Sequence, residues 1–156
     1  MAGKKNELGT TGVTVAANVK RLREGQNLTY AELSRRLDAT GRPIPVLGLA
    51  RVEAGTRRVD ADDLMALAVV LGVSPSTLLM PDAPDENQRV DATGVVESVP
   101  AQRLWNWLRA ENPLDSDAGK FMLAANPAWV REELRNFLGE MFPKRTSGEV
   151  SADGDD

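Results

Sequence analysis

The sequence predicts a mainly all-α protein: five short helices within its first 80 residues, then a small, mostly helical C-terminal region with one candidate strand. Three observations carry this expectation. Helix-start signals, usually a Ser, Thr or Asp ahead of an apolar stripe, recur five times within about 70 residues. Leu49 to Val59, LARVEAGTRRV, reads as a short amphipathic helix that stops at Gly55 and runs into Arg57 and Arg58. The chain has no histidine and no cysteine, which removes Ser/His/Asp and Cys/His catalysis, structural zinc sites and thiol redox chemistry. We therefore expect no enzyme, no catalytic residues, no metal and no cofactor.

Taken in order, Thr14 can cap a helix to about Glu24, with Val15, Val19 and Leu22 on one face, ended by Gly25 and Asn27. Thr29 and Glu32 have capping-box spacing, and Leu28 and Leu33 fall at hydrophobic-staple positions, so a second helix runs from about Tyr30 to Leu37. Pro45 suits the first position of a third helix, closed by Gly55, with Leu49 and Val52 facing the core. Asp60 caps a fourth, whose stripe is Leu64, Leu67, Ala68 and Leu71 and whose stop is Gly72. Ser74 begins a short fifth through about Met80, with Pro75 at its first position. Helices this short must cross steeply around a small core, and the pair from Thr29 to Ala54 reads as helix-turn-helix.

Beyond residue 80 the pattern is looser. MPDAPDENQ has linker composition, and Arg89 to Val96 is rich enough in β-branched residues to form a strand, one that can pair with another chain. Ala101, Leu104, Trp105 and Leu108 have helical spacing before Asn112 and Pro113. A short helix over Asp117 to Ala125 follows, with Phe121 and Met122 inward, and then a stripe of Val130, Leu134, Phe137, Leu138 and Met141 that stops at Pro143. All three tryptophans and all three phenylalanines lie in this half, more apolar surface than a small appendage buries alone.

The net charge of -4 is divided unevenly: residues 1–80 hold 11 Lys+Arg against 8 Asp+Glu, while residues 81–156 hold 8 against 15. A basic binding module joined to an acidic assembly or regulatory half fits that asymmetry. The expected divisions are a disordered N-terminus (1–12), a binding domain (13–80), a linker or strand (81–96), a helical region for dimerisation or effector contact (97–143) and a disordered acidic tail (144–156). Leu64 to Val73 is the longest apolar stretch, far short of the ~20 residues a membrane span requires, so the expectation is a soluble cytoplasmic protein without membrane contact.

Three segments in order, NVKRLREGQNLTYAELSRRL, LARVEAGTRRV and DLMALAVVLGVSPSTLL, make residues 13–80 similar to the Cro and phage-repressor-like family of helix-turn-helix domains, of the xenobiotic-response-element type. The resemblance implies a third helix in the major groove of double-stranded DNA, with Val46, Leu47, Ala50 and Arg51 as base readers. Leu49 and Val52 as core contacts independently turn Leu47, Ala50 and Arg51 outward, although Val46 and Leu47 can instead pack against a neighbouring helix or against the loop before them. Candidate phosphate contacts are Thr29, Tyr30, Arg57 and Arg58. Arg23 and Glu53 match the family's internal ion pair between the first and third helices. One departure is an insertion of about five residues in DATGRPIP, between the two motif helices, whose tip offers Arg42 as a further phosphate contact or forms a longer surface turn. The expected function is a sequence-specific transcriptional regulator acting as a homodimer and kept in the nucleoid when bound. The alternative is an antitoxin or adaptor whose C-terminal half binds a protein partner. An RNA-binding module lacks the aromatic stacking surface expected of it.

Overall fold

In the computed structural model, which describes residues 7–115 and 117–141, five helices surround one apolar core: α1 (Thr10–Gly25), α2 (Tyr30–Ala39), α3 (Val46–Glu53), α4 (Ala61–Leu71) and α5 (Pro75–Leu79). Local chemistry sets most of their ends. Thr29, Asp60 and Ser74 each accept a hydrogen bond from the backbone N–H three residues on, and Gly72 takes the left-handed conformation (φ +69°) that stops α4. The core stripes come from every helix: Val15 and Val19, Leu33 and Leu37, Leu49 and Val52, Leu67 and Leu71, and Leu78 are all buried. Leu28 is buried beside Leu33, as a staple requires.

Two details differ from the sequence reading. Helix α1 begins a turn earlier than Thr14, at Thr10 with Gly9 as its cap, so residues 10–12 are helical and not a disordered lead; residues 1–6 lie outside the described residues. The extra turn is held by Thr11 and Thr93, each of whose hydroxyls accepts the other's backbone N–H, at 2.9 and 3.1 Å. The capping box at α2 is only half made: Thr29 Oγ1 accepts from the Glu32 N–H, but the Glu32 carboxylate takes the guanidiniums of Arg35 and Arg36. Charged donors win a carboxylate over a neutral amide.

The stretch with linker composition is docked to the helical body. Arg89–Val90 (β1) pairs antiparallel with Val99–Pro100 (β2), Val90 facing Val99, so the strand of the second half is two residues long and finds its partner within the chain. Val96 is fully exposed in the intervening turn. Val90 and Val99 bury a second small core with Ala101 and Leu104 of α6 (Ala101–Leu108), closed by Met80, Ala83 and Leu114. Two polar ties join this core to the first: Ser76 Oγ donates to the Leu108 carbonyl at 3.0 Å, and the buried Asn18 amide donates to the carbonyls of Leu78 and Met80. Helices α7 (Ala118–Ala125) and α8 (Ala128–Met141) follow; no α7 residue is buried, Phe121, Met122, Val130 and Leu134 are half-buried, and Trp129 and Phe137 are exposed. The expected stop at Pro143, the tail 144–156 and the side chains of Leu138 and Met141 lie outside the described residues. No described helix is long and apolar enough to cross a membrane.

Candidate DNA interface

Helix α3 divides cleanly into two faces. Leu49 and Val52 are 0% and 1% exposed, and Ile44, just ahead of the helix, is fully buried as well. On the opposite face Val46 and Leu47 remain 46% and 61% exposed, Ala50 is half-buried and Arg51 is exposed. The Arg51 carbonyl accepts from the Thr56 hydroxyl, and its guanidinium has no ion pair or hydrogen bond among the described residues. Pro45 precedes the helix as its cap residue and does not occupy its first position.

The inserted turn is ordered by its own residues. Gly41 sits at φ +79°, the Thr40 hydroxyl donates to the Leu37 carbonyl, and Ser34 Oγ donates to the Ile44 carbonyl at 2.7 Å while the Ile44 side chain enters the core. Ile44 was not among the expected core residues, because a lone isoleucine between two prolines has no periodicity to reveal it. Arg42, at the tip, folds over the start of α4: Nε donates to Asp63 Oδ1 and Nη2 to Asp60 Oδ2, each at 2.8 Å, with the side chain still 41% exposed. Arg57 turns the same way, Nη2 donating to Asp63 Oδ2 at 2.9 Å. Two of the three arginines proposed from sequence as phosphate contacts thus have acidic partners within the domain. Arg58 remains exposed, its nearest partner being the Glu7 carbonyl at 3.3 Å.

Asp63 is the site residue that sequence reasoning missed. It is 3% exposed, although it sits where helix-start carboxylates are usually solvated. Gly48 has a matching role on α3. A Cβ there would lie 2.6 Å from Arg57 Nη1 and 3.1 Å from Ile44 Cγ2, so glycine lets the Arg57 guanidinium pass against the helix on its way to Asp63.

Behind the interface, Arg23 Nε donates to Glu53 Oε1 at 2.6 Å and Nη2 to Oε2 at 3.0 Å, tying α1 to α3. Tyr30 completes the group: its hydroxyl donates to Glu53 Oε2 at 2.8 Å and the Arg23 guanidinium lies 4.3 Å from its ring centroid. The bond to Glu53, with burial, raises the Tyr30 phenol above its ordinary value, and the Glu53 bond raises the Arg23 guanidinium above its own. The Tyr30 O–H is therefore spent inside the domain. At the start of α2 the Thr29 hydroxyl accepts from the Glu32 N–H and keeps its own hydrogen to donate, while the Tyr30 backbone N–H, in the first turn, has no intrahelical acceptor.

A short helix with a buried face, a free outward face and a second helix opening beside it defines a helix-turn-helix DNA-binding domain. Residues 19–78 match the helix-turn-helix family model, and this part of the chain is a domain of the Cro/repressor-like helix-turn-helix family. The chain that carries it is a DNA-binding regulator. No curated protein and no solved structure matches the chain.

Proposed function

We propose that the protein reads duplex DNA by placing α3 in the major groove, with Arg51 donating to a guanine edge, Val46 and Leu47 against thymine methyls and Ala50 allowing close approach. The observation that carries this reading is the outward face of α3: two large apolar side chains left exposed beside an arginine whose guanidinium has no partner among the described residues. Thr29 contacts phosphate through its hydroxyl and Tyr30 through its backbone N–H, at the electropositive end of α2, while Arg58 supplies a charged contact beyond α3. Selection from a randomised duplex library tests the reading. An enriched motif with two half-sites about one helical turn apart is expected; recovery of unenriched DNA overturns it and favours the adaptor alternative.

Dimerisation belongs to the same proposal, because one small domain contacts too few base pairs for strong selectivity. The apolar α7–α8 pair supports a homodimer interface, with Trp129 69% and Phe137 57% exposed. Truncation after Asp115 removes these helices yet keeps Leu114, which closes the second core. Light scattering should show a dimer for the full chain and a monomer for the truncation. A full chain that is monomeric both free and on DNA refutes the dimer.

A further inference from the structure

We infer that Asp63 is a positioning residue for the DNA-binding surface: its buried carboxylate clasps the segments on both sides of α3 and withholds two guanidiniums from phosphate. The inference rests on the reading that α3 meets DNA.

Arg42 lies three residues before the α3 cap residue Pro45, and Arg57 lies four residues after the last α3 residue, Glu53. One carboxylate holds both, Oδ1 taking Arg42 and Oδ2 taking Arg57. Asp63 is itself fixed, since its backbone N–H donates to Asp60 Oδ1 at 2.8 Å and the other Asp60 oxygen takes Arg42. Either segment is thereby tied to the start of α4, and the reading helix is suspended between them. Gly48 is the clearance that this clasp needs, because any larger residue would meet the Arg57 guanidinium.

Charge gives the clasp its second consequence. Two guanidiniums face two carboxylates, with Asp62 a further 3.8 Å contact of Arg42, so the cluster presents no net positive charge. Arg35 and Arg36 share the single Glu32 carboxylate, which leaves Arg51 and Arg58 as the arginines bordering α3 without a carboxylate partner among the described residues. Phosphate contacts strengthen binding to every sequence equally. Neutralising Arg42 and Arg57 therefore lowers affinity for matched and arbitrary DNA by the same factor and leaves selectivity to the base readers.

The test is the salt dependence of binding to a selected duplex and to a scrambled one, with folding of each variant followed by far-UV circular dichroism. Arg42→Gln and Arg57→Gln should leave the slope of log K against log salt unchanged, whereas Arg58→Gln should reduce it by about one. Asp63→Asn should steepen it by about one on both duplexes and tighten binding to scrambled DNA severalfold, because Arg57 loses its carboxylate while Arg42 keeps Asp60, and adding Arg57→Gln should return that unit. A merely structural role would lower the melting temperature without steepening the slope, and Asp63→Glu, which keeps the charge, should stay near the native slope. A loss of about one unit in Arg42→Gln or Arg57→Gln, or a folded Asp63→Asn with the native slope, overturns the inference; should Asp63→Asn fail to fold, the two arginine variants decide. If instead Arg51→Ala and Arg58→Gln both bind as the native chain does, the placement of α3 on DNA is what has failed.

Discussion

Asn18 and Met80 lie 62 positions apart and are joined by a 2.7 Å hydrogen bond from the Asn18 side-chain amide to the Met80 carbonyl. The same amide reaches the Leu78 carbonyl at 3.0 Å, so a buried side chain of α1 closes the end of α5, where helix carbonyls have no partners of their own. Replacing Asn18 with Ala should cost about 1–3 kcal/mol through carbonyls left unsatisfied. Asn18→Asp should cost more, since it turns an acceptor toward acceptors. Denaturant unfolding of both variants checks this, and an Asp variant as stable as the native chain would contradict it.

The Arg23 and Glu53 pair should govern stability and leave base preference alone. The Glu53 side chain is 3% exposed and that of Arg23 11%, and removing one partner of a buried pair typically costs about 3–5 kcal/mol. Arg23→Ala should be the more damaging change, because Glu53 would keep only the Tyr30 hydroxyl. Arg23, in contrast, would retain the Leu28 carbonyl at 2.9 Å and the Tyr30 ring. Melting temperatures give the order of the two variants, and library selection checks that their motifs are unaltered.

Reading and anchoring should separate within the interface. Arg51→Ala should cost about 1–3 kcal/mol on the selected site and relax selectivity at one base-pair position, as loss of a bidentate base contact does. Arg58→Ala should weaken matched and scrambled duplexes alike. Uniform weakening by Arg51→Ala would make it an anchor and displace the proposed register of α3.

Stability should fall at both ends of the pH scale. Hydrogen bonds from Arg35 and then Arg36 bring the Glu32 carboxyl from 4.5 down to about 2, and the Asp63 N–H, with Arg42, holds the Asp60 carboxyl below its ordinary value. Groups lowered on folding stabilise above their unfolded values, so their contribution is lost as pH falls from 4.5 through about 2. Tyr30 has the opposite sign: raised on folding from 10.0, it stabilises fully below that value and the contribution is lost as pH climbs through the raised one. With no histidine present, the urea midpoint should stay level between about pH 6 and 8. Glu32→Gln should flatten part of the acid limb.

Gly48→Ala should destabilise the protein despite the gain of about 1 kcal/mol in helix propensity. The new methyl would press on the Arg57 guanidinium and on the buried Ile44 side chain. In an Arg57→Ala background the tighter contact is gone, and the same change should recover part of the propensity gain. Thermal unfolding of the four chains measures the difference.

What was legible in the sequence follows the range of each interaction. The Asp60 and Ser74 caps, the Gly72 stop and the inward face of Leu49 and Val52 depend on neighbours within a turn or two, and pattern alone located them. Asp63 carries no local signal because its partners are 6 and 21 positions away, and Asn18 carries none because the carbonyls it caps are about 60 away. The docked hairpin was hidden for a related reason: proline and acidic residues describe its exposed turns, while the contacts that seat it come from Met80, Leu104 and Leu114.

The reciprocal pairing of Thr11 with Thr93 closes a span of 82 positions using exposed hydrogen bonds. Bringing such distant ends together costs about 4 kcal/mol of chain entropy if done first, but little once the helices between them have folded. The clasp between the start of α1 and the hairpin is consequently a late event in folding and an early one in unfolding. The amides of Thr11 and Thr93 should exchange with solvent through local opening, well ahead of those buried around Leu33 and Leu67.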